Sequence, residues 1–276
     1  KSNWSNKVSN LKEIAQELNI GLDSLVFVDD SSFEINLIRE QLPEITVLQV
    51  PERLYEYPKM LRENLNLFYN LSFTSEDSKK IDMYKNQVKR ETVKKEFTDI
   101  EDYLASLELK MIIFKNDKSI IPRMSQMSQK TNQFNLTTKR YTEGDIQNFI
   151  DDPDSYLYAF SLSDKFGDYG VTGLSIVTAN GSTETAEIDT LLMSCRIIGR
   201  NVEYAFIDYI INMMKLRKVN FIKSKYIRTS KNEQVEDFFD KCSFEHIDKN
   251  DLIKNYVLDV KNYQSKKIKY IDMVYE

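Results

Sequence analysis

The chain has 276 residues, 41% of them hydrophobic, with 43 acidic residues against 38 basic ones and a formal net charge of −5. That length suggests about two domains, and the apolar fraction supports a packed core, which excludes wholesale disorder. The interspersed charges exclude a chain-wide nucleic-acid or membrane surface. One histidine, His246, and two cysteines, Cys195 and Cys242, exclude a disulfide framework and a histidine-based metal site or triad.

The first residues, KSNWSNK, contain no signal peptide and no initiator methionine, as expected of a piece of a longer protein. No apolar run approaches the roughly 20 residues of a membrane span. A reducing, cytoplasmic location is the expectation.

Residues 5–19 read as a helix, with Val8, Leu11, Ile14, Ala15 and Leu18 at helical spacing and Gly21 at its C′ position. Leu25–Val28 is a short all-apolar strand of the kind buried in a parallel sheet. A helix over Phe33–Gln41 stops at Pro43, and Ile45–Val50 is the next strand. This alternation is a piece of a doubly wound sheet, and two strands are too few for an independent one. Residues 74–107 read as a charged helical bridge with two S/T-x-x-D/E capping boxes, Thr74 with Asp77 and Thr98 with Glu101.

From Leu109 the pattern changes. A strand (109–114) leads to a helix (119–129), the segment TNQFNLTTKRY, and a third capping box, Thr142 with Asp145. Strands follow near 156–162, 171–177 and 186–193, the last two joined by an Asn180-Gly181 hairpin turn. A long helix (201–216), a strand (219–226), a helix (232–241) and C-terminal strands complete the chain.

The strand SLVFV runs straight into Asp29-Asp30. Carboxylates at the end of a parallel strand lie where open α/β sheets bind ligands, and magnesium suits such a place. The alternative is an N-cap for the following helix. The strand-end aspartates, preceded by a helix with Lys7 near its start, resemble the haloacid-dehalogenase-like superfamily. There the fourth-motif acids hold magnesium and the third-motif lysine steadies the phosphoryl group. The family's nucleophile motif, D-x-D-x-T, is absent from this sequence, so the resemblance implies the distal half of a magnesium site and no phosphatase activity of this chain alone. Asp151-Asp152-Pro153-Asp154 is a turn, not that motif.

The element order of the second half resembles the GNAT acyltransferase fold. Its signature Q/R-x-x-G-x-G/A is matched by Arg196 and Gly199 in RIIGRN, with Asn201 in place of the small last residue. The stretch from Lys231-Asn232 to Phe238-Phe239 and Phe244 resembles a later GNAT segment, with no phenol at Phe239. The whole chain is similar to the FkbH-like proteins, through DSLVFVDD, DYLASLEL, TNQFNLTTKRY, DKFGDYG, EIDTLLMSCRIIGRNVE and KN-x-x-V-x-x-FF, all in order. The resemblance implies an α/β protein: a partial doubly wound haloacid-dehalogenase-like (Rossmannoid) sheet over 1–72, a helical connector over 73–107 and a GNAT-like α+β domain over 108–276.

It further implies loading of a glyceryl or related acyl group from a phosphorylated donor onto the phosphopantetheine thiol of an acyl carrier protein, with dephosphorylation. The partners would be that carrier and that small-molecule donor, with no nucleic acid and no membrane. The cofactors would be magnesium, on Asp29 and Asp30, and the carrier's phosphopantetheine. Cys195, leading into the long helix beside Arg196 and Arg200, is a candidate nucleophile facing the pantetheine cleft, or a small core thiol. The pantetheine amides are expected to pair with the adjacent strand edge. Asp189 and Glu203 are candidate bases or salt-bridge residues. Asn132, Gln133 and Asn135 would orient a polyol or amide, or cap turns. Asp168 would bind a hydroxyl or cap a turn, and Gly199 and Asn232 complete the candidate binding set. Cys242 and His246 read as structural. Two other readings compete: an N-acetyltransferase using acetyl-coenzyme A, and a non-catalytic carrier-docking module.

Overall fold

The computed structural model describes residues 6–18, 20–68, 80–179 and 184–275. The chain divides into two compact units, 1–91 and 92–276. Two expected features, the Asn180-Gly181 turn and the Thr74–Asp77 capping box, lie outside the described residues.

In the first unit, α1 (Lys7–Leu18) packs on α2 (Ser32–Gln41), and α2 lies against β1 (Val26–Asp29) and β2 (Thr46–Gln49). The strands pair in parallel, Val26 opposite Thr46 through Asp29 opposite Gln49. Val8, Ile38, Leu42 and Ile45 form the core. The sheet has two strands among the described residues, as the apolar pattern predicts. It leaves Val28 and Phe33 exposed, and Leu54 and Tyr55 are exposed just ahead of α3 (Tyr57–Glu63). Gly21 does not act as a left-handed cap: its φ is −69°, ordinary for any residue, and it precedes a 3-10 turn over Leu22–Ser24.

The expected connector does not behave as one stretch. α4 (Lys80–Lys94) crosses the boundary between the units, whereas α5 (Ile100–Ser106) sends Tyr103 and Leu104 into the second unit's core. The N-cap of α5 is Asp99, not Thr98; its carboxylate accepts from the N–H groups of Glu101 (2.7 Å) and Asp102 (3.1 Å). A carboxylate is favoured there over a threonine because it also faces the positive end of the helix dipole.

The second unit is a mixed α/β domain with eight strands among the described residues: β3 (Leu109–Lys115), β4 (Ser155–Asp164), β5 (Gly167–Thr178), β6 (Thr185–Met193), β7 (Phe221–Ile227), β8 (Glu245–Lys249), β9 (Ile253–Asp259) and β10 (Ile271–Tyr275). Their spatial order is β10-β3-β4-β5-β6-β7-β9-β8. The β10–β3 and β6–β7 pairs are parallel, the others antiparallel. α6 (Ile121–Lys130) and α7 (Glu143–Asp151) share one apolar cluster with Leu157, Leu174, Ile176 and Leu192. α8 (Val202–Leu216), α5 and α9 (Phe238–Lys241) share the larger one. The Thr142–Asp145 capping box forms at the start of α7 as the sequence predicts. The helix expected over 232–241 is instead a 3-10 turn, Glu233–Val235, followed by the single turn of α9.

Gly173 is fixed by packing. A Cβ there would lie 1.8 Å from Cε1 of Phe160, itself fully buried against Phe206 with ring centroids 4.7 Å apart. Gly173→Ala should therefore cost roughly 1–3 kcal/mol by overpacking. Denaturant unfolding would show a lower midpoint at unchanged slope, and adding Phe160→Leu should recover part of the loss.

Candidate functional site

At the end of β1, Lys7 Nζ reaches Asp29 Oδ2 at 2.5 Å, and the Ser31 N–H donates to Asp29 Oδ1 at 2.9 Å. The sequence thus brings Lys7 and Asp29 together as expected. The N-cap reading also holds, one residue on: Ser31 caps α2 by accepting from the Glu34 N–H. Burial alone would raise the Asp29 carboxyl, but the Lys7 ammonium and the Ser31 N–H outweigh it and hold the group below the usual carboxylate range. The bond to Asp29 raises Lys7 in turn. Asp30 is exposed. Magnesium accepts one or two protein carboxylates and completes its shell with water and phosphate. Here Asp30 offers an exposed carboxylate, Asp29 has both oxygens bonded to Lys7 and Ser31, and no group of three candidate ligands occurs among the described residues.

In the second unit, β6 and β7 pair only over Thr185–Ile188 and Phe221–Ser224. Thr190 pairs with Ile176 and Ile188 with Val177, so Asp189 is the extra residue of a bulge. Beyond it the two strands part. Parting strands leave N–H and C=O groups that must find partners, and the partner is the chain itself. The Leu136 N–H donates to Leu191 O (3.2 Å), the Met193 N–H to Phe134 O (3.0 Å), and the Ile227 N–H to Leu136 O (2.8 Å). Thr137 Oγ1 donates to Asp189 O at 3.1 Å. Phe134 and Leu136 are buried in the α8 core, while Asn135 forms a bridge opposite Leu192. The strand edge expected to receive pantetheine amides is therefore taken by residues 134–137.

Several expected binding residues are consumed by the same junction. Asn135 is fully buried, donating to Thr131 O (3.2 Å) and accepting from the Thr138 N–H (2.8 Å). Asn232, also fully buried, donates to Asn135 O and Ile227 O, both at 2.9 Å, and accepts from the Thr229 N–H and the Tyr226 hydroxyl. Asn232 thus has no capacity left for a ligand, and Asn135 has no exposed surface to offer one. Asn132 accepts from Arg140 at 2.5 Å. Gln133 is half-buried. Asp168 lies within β5 and accepts from the Gly170 N–H at 2.7 Å, while the β4–β5 turn is capped by Asp164, which accepts from the Phe166 and Gly167 N–H groups. Asp189 is no free base: Lys139 and Tyr141 both donate to its carboxylate, and Thr190 adds a third bond at 3.0 Å.

The loop into α8 carries the remaining candidates. Cys195 is half-buried and opens a 3-10 turn, Cys195–Ile197, anchored by Ile197 in the core. Arg196 Nε donates back to Ser194 Oγ at 3.2 Å. Arg200 does not flank the thiol as an open cation: it is buried, donates to Arg196 O (2.8 Å) and the Tyr169 hydroxyl (3.0 Å), and covers the Tyr169 ring. Gly199 is exposed with φ +84°, and a side chain there would meet open space. Asn201 takes the left-handed conformation, φ 59°, which asparagine tolerates best after glycine. Its Nδ2 donates to Tyr270 at 2.7 Å, so no side chain of Asn201 caps α8. In the first turn, burial pushes the Glu203 carboxyl up, and its Oε2 is enclosed without a hydrogen-bond partner. Cys242 is a core thiol, pushed up to about 12 by burial. His246 pairs with Asp240 at 2.8 Å on β8.

Sequence reasoning missed Lys139, Arg140 and Tyr141, although all three close the quoted TNQFNLTTKRY. It also missed Asp208. An aspartate among the buried positions Phe206, Ile207 and Ile210 of α8 was the available signal. It accepts from Tyr263, from Ser265 Oγ (2.5 Å) and from the Lys266 N–H (3.0 Å).

No family model matches the sequence. No curated protein is similar to it. Solved structures similar to the chain include Ard1 from Thermoplasma volcanium (14% identity, 54% of this chain, 97% of that one, TM-score 0.42) and the ribosomal-protein-S18-alanine N-acetyltransferase from Escherichia coli (10%, 56% and 97%, 0.43). An N-acetyltransferase from Staphylococcus aureus Mu50 is another (13%, 54% and 98%, 0.42). These GNAT-like neighbours cover about half of this chain.

Two outcomes follow for the residues just described. A lowered carboxyl pKa stabilises the folded state above the ordinary aspartate value of about 3.9 and loses that contribution as pH falls through the lowered value. Asp29→Asn should accordingly flatten the acid limb of the first unit's stability, read by hydrogen exchange of the β1 and β2 amides below about pH 5. Asn232→Ala should cost about 1–3 kcal/mol by stranding buried partners; a ligand-binding role would instead leave unfolding unchanged.

Proposed function

We propose that the second unit transfers an acyl group carried as a pantetheine thioester, and that the first unit contributes the distal part of a phosphate-handling site. The observation that carries the first statement is the place where β6 parts from β7: a bulge at Asp189, then a half-exposed cysteine, then a helix whose N-cap residue gives its side chain elsewhere. The first N–H groups of such a helix attract anions. Because residues 134–137 take the strand edge, a pantetheine arm would come in along Ser194–Gly199 rather than as an added strand.

The finer reading is glyceryl loading. Asp30, with Asp29 behind it, would help hold magnesium, which supplies charge neutralisation for a phosphoryl group when bound. Lys7 would hold the Asp29 carboxylate ionised and oriented toward that group. On the second unit, the Cys195 thiolate would attack the acyl carbon of the glyceryl phosphate donor, releasing phosphate and forming a thioester; the carrier thiol would then attack that thioester, taking the glyceryl group and releasing Cys195. The sequence resemblance to FkbH-like proteins supports this reading. A second reading, acyl transfer to an amine from acetyl-coenzyme A, is favoured by an anionic cavity along α7.

Incubating the chain with glyceryl-loaded carrier protein, and separately with acetyl-coenzyme A, tests both. Intact-mass analysis should show one added acyl group in the first case, abolished by Cys195→Ala and kept in Cys242→Ala. Full acylation of Cys195→Ala would overturn the nucleophile and leave the docking-module reading ahead.

A further inference from the structure

A cavity of about 590 Å³ runs along one face of α7, lined by Arg140, Tyr141, Asp145, Asn148, Phe149 and Asp152. The last four recur at i, i+3, i+4 and i+7, so they form one stripe about 10 Å long. Phe149 and Tyr141 make its apolar wall, edge to face with centroids 5.3 Å apart. The Tyr141 hydroxyl is turned to Asp189, so the residue offers the cavity its ring.

The charges do not cancel. Arg140 is the one cation of the lining, and its donors go to Ser128 O at the end of α6, and to Thr131 O at 2.8 Å and Asn132 Oδ1 at 2.5 Å on its own loop. Two carboxylates stand against it. Asp145 is held ionised by the Thr142 hydroxyl and N–H, and Asp152 by the Ser155 hydroxyl and the Asp154 N–H. A carboxylate accepts about four hydrogen bonds, and each of these has two protein donors, so both keep acceptor capacity. An aromatic wall beside unneutralised carboxylates favours a cation carried on an apolar stem.

The geometry points to this cavity as a binding site for an aliphatic ammonium group, its stem along Phe149 and its charge on Asp145 or Asp152. Its use as the acyl acceptor's site rests on the second reading above; binding itself does not. A hydroxyl compound lacks the charge, and an anion of the same length meets repulsion from both ends of the stripe.

Four six-carbon probes differing only in their ends test this with the full chain by amide-resolved NMR titration at low salt: 1,6-diaminohexane, hexylamine, 1,6-hexanediol and hexanoate. Saturable shifts on the α7 amides are expected for the two amines, stronger for the diamine, and weakening as salt screens the pairs. Asp152→Asn should weaken the amines by roughly threefold, and Asn148→Lys, on an exposed position, should abolish their binding. Asp251→Asn, a distant exposed carboxylate, should change nothing. Equal shifts with hexanediol or hexanoate, or unchanged binding in both Asp152→Asn and Asn148→Lys, would overturn the site. Because no acyl donor is present, such a failure is separate from failure of Cys195 to acylate.

Discussion

Everything in the second unit is arranged around one unmet demand of the backbone. Two parallel strands that part within a sheet expose amide groups to a buried interior, where each orphaned group costs about as much as a lost hydrogen bond. Residues 134–137 meet that demand from both sides at once, pairing with β6 through Leu191 and Met193 and with β7 through Ile227. Asn135 and Asn232 then exist to hold this inserted segment, each bonded on both faces of its amide. The bulge at Asp189, the Lys139 and Tyr141 contacts to it, and the Arg140 clasp on Thr131 and Asn132 extend the same junction outward.

This explains why the elements were readable in the sequence while the roles of many polar residues were not. The strand and helix periods, the Thr142 capping box and the parallel character of β1 follow from local patterns, and they form as those patterns predict. The Lys7–Asp29 meeting was expected through the resemblance of the helix lysine and strand-end acids to the haloacid-dehalogenase-like superfamily, and the two residues do meet. What a one-dimensional pattern does not carry is whether a polar side chain spends its hydrogen bonds on the chain or keeps them for a ligand. TNQFNLTTKRY looks like a binding segment because it is rich in amides and cations. Its asparagines instead bond within the segment, Asn135 to Thr131 and Thr138 and Asn132 to Arg140, while the backbone carbonyl of Asn135 is held by Asn232 from 97 positions away. Arg200 shows the same limit: beside Cys195 in sequence, it turns inward to Tyr169, which in turn donates to Asp164.

Among the described residues, the proposed chemistry therefore turns on few places: the Ser194–Gly199 loop and the face of α7 in the second unit, and Asp29 and Asp30 in the first.

The pairing of β10 with β3 has a consequence in time. These two strands lie side by side in parallel, Ile271 against Leu109, yet about 160 residues of chain are made between them. During synthesis β3 therefore waits with one edge bare while β4 to β9 assemble on the other. A parallel partner that arrives last closes the longest loop in the domain, so until then the nascent chain offers a ready-made docking edge to any extended peptide. The clasp of Tyr263, Ser265 and Lys266 on Asp208 shortens that exposure: once it forms, the final strand is tethered a few residues from its berth and the bare edge is covered from within the chain.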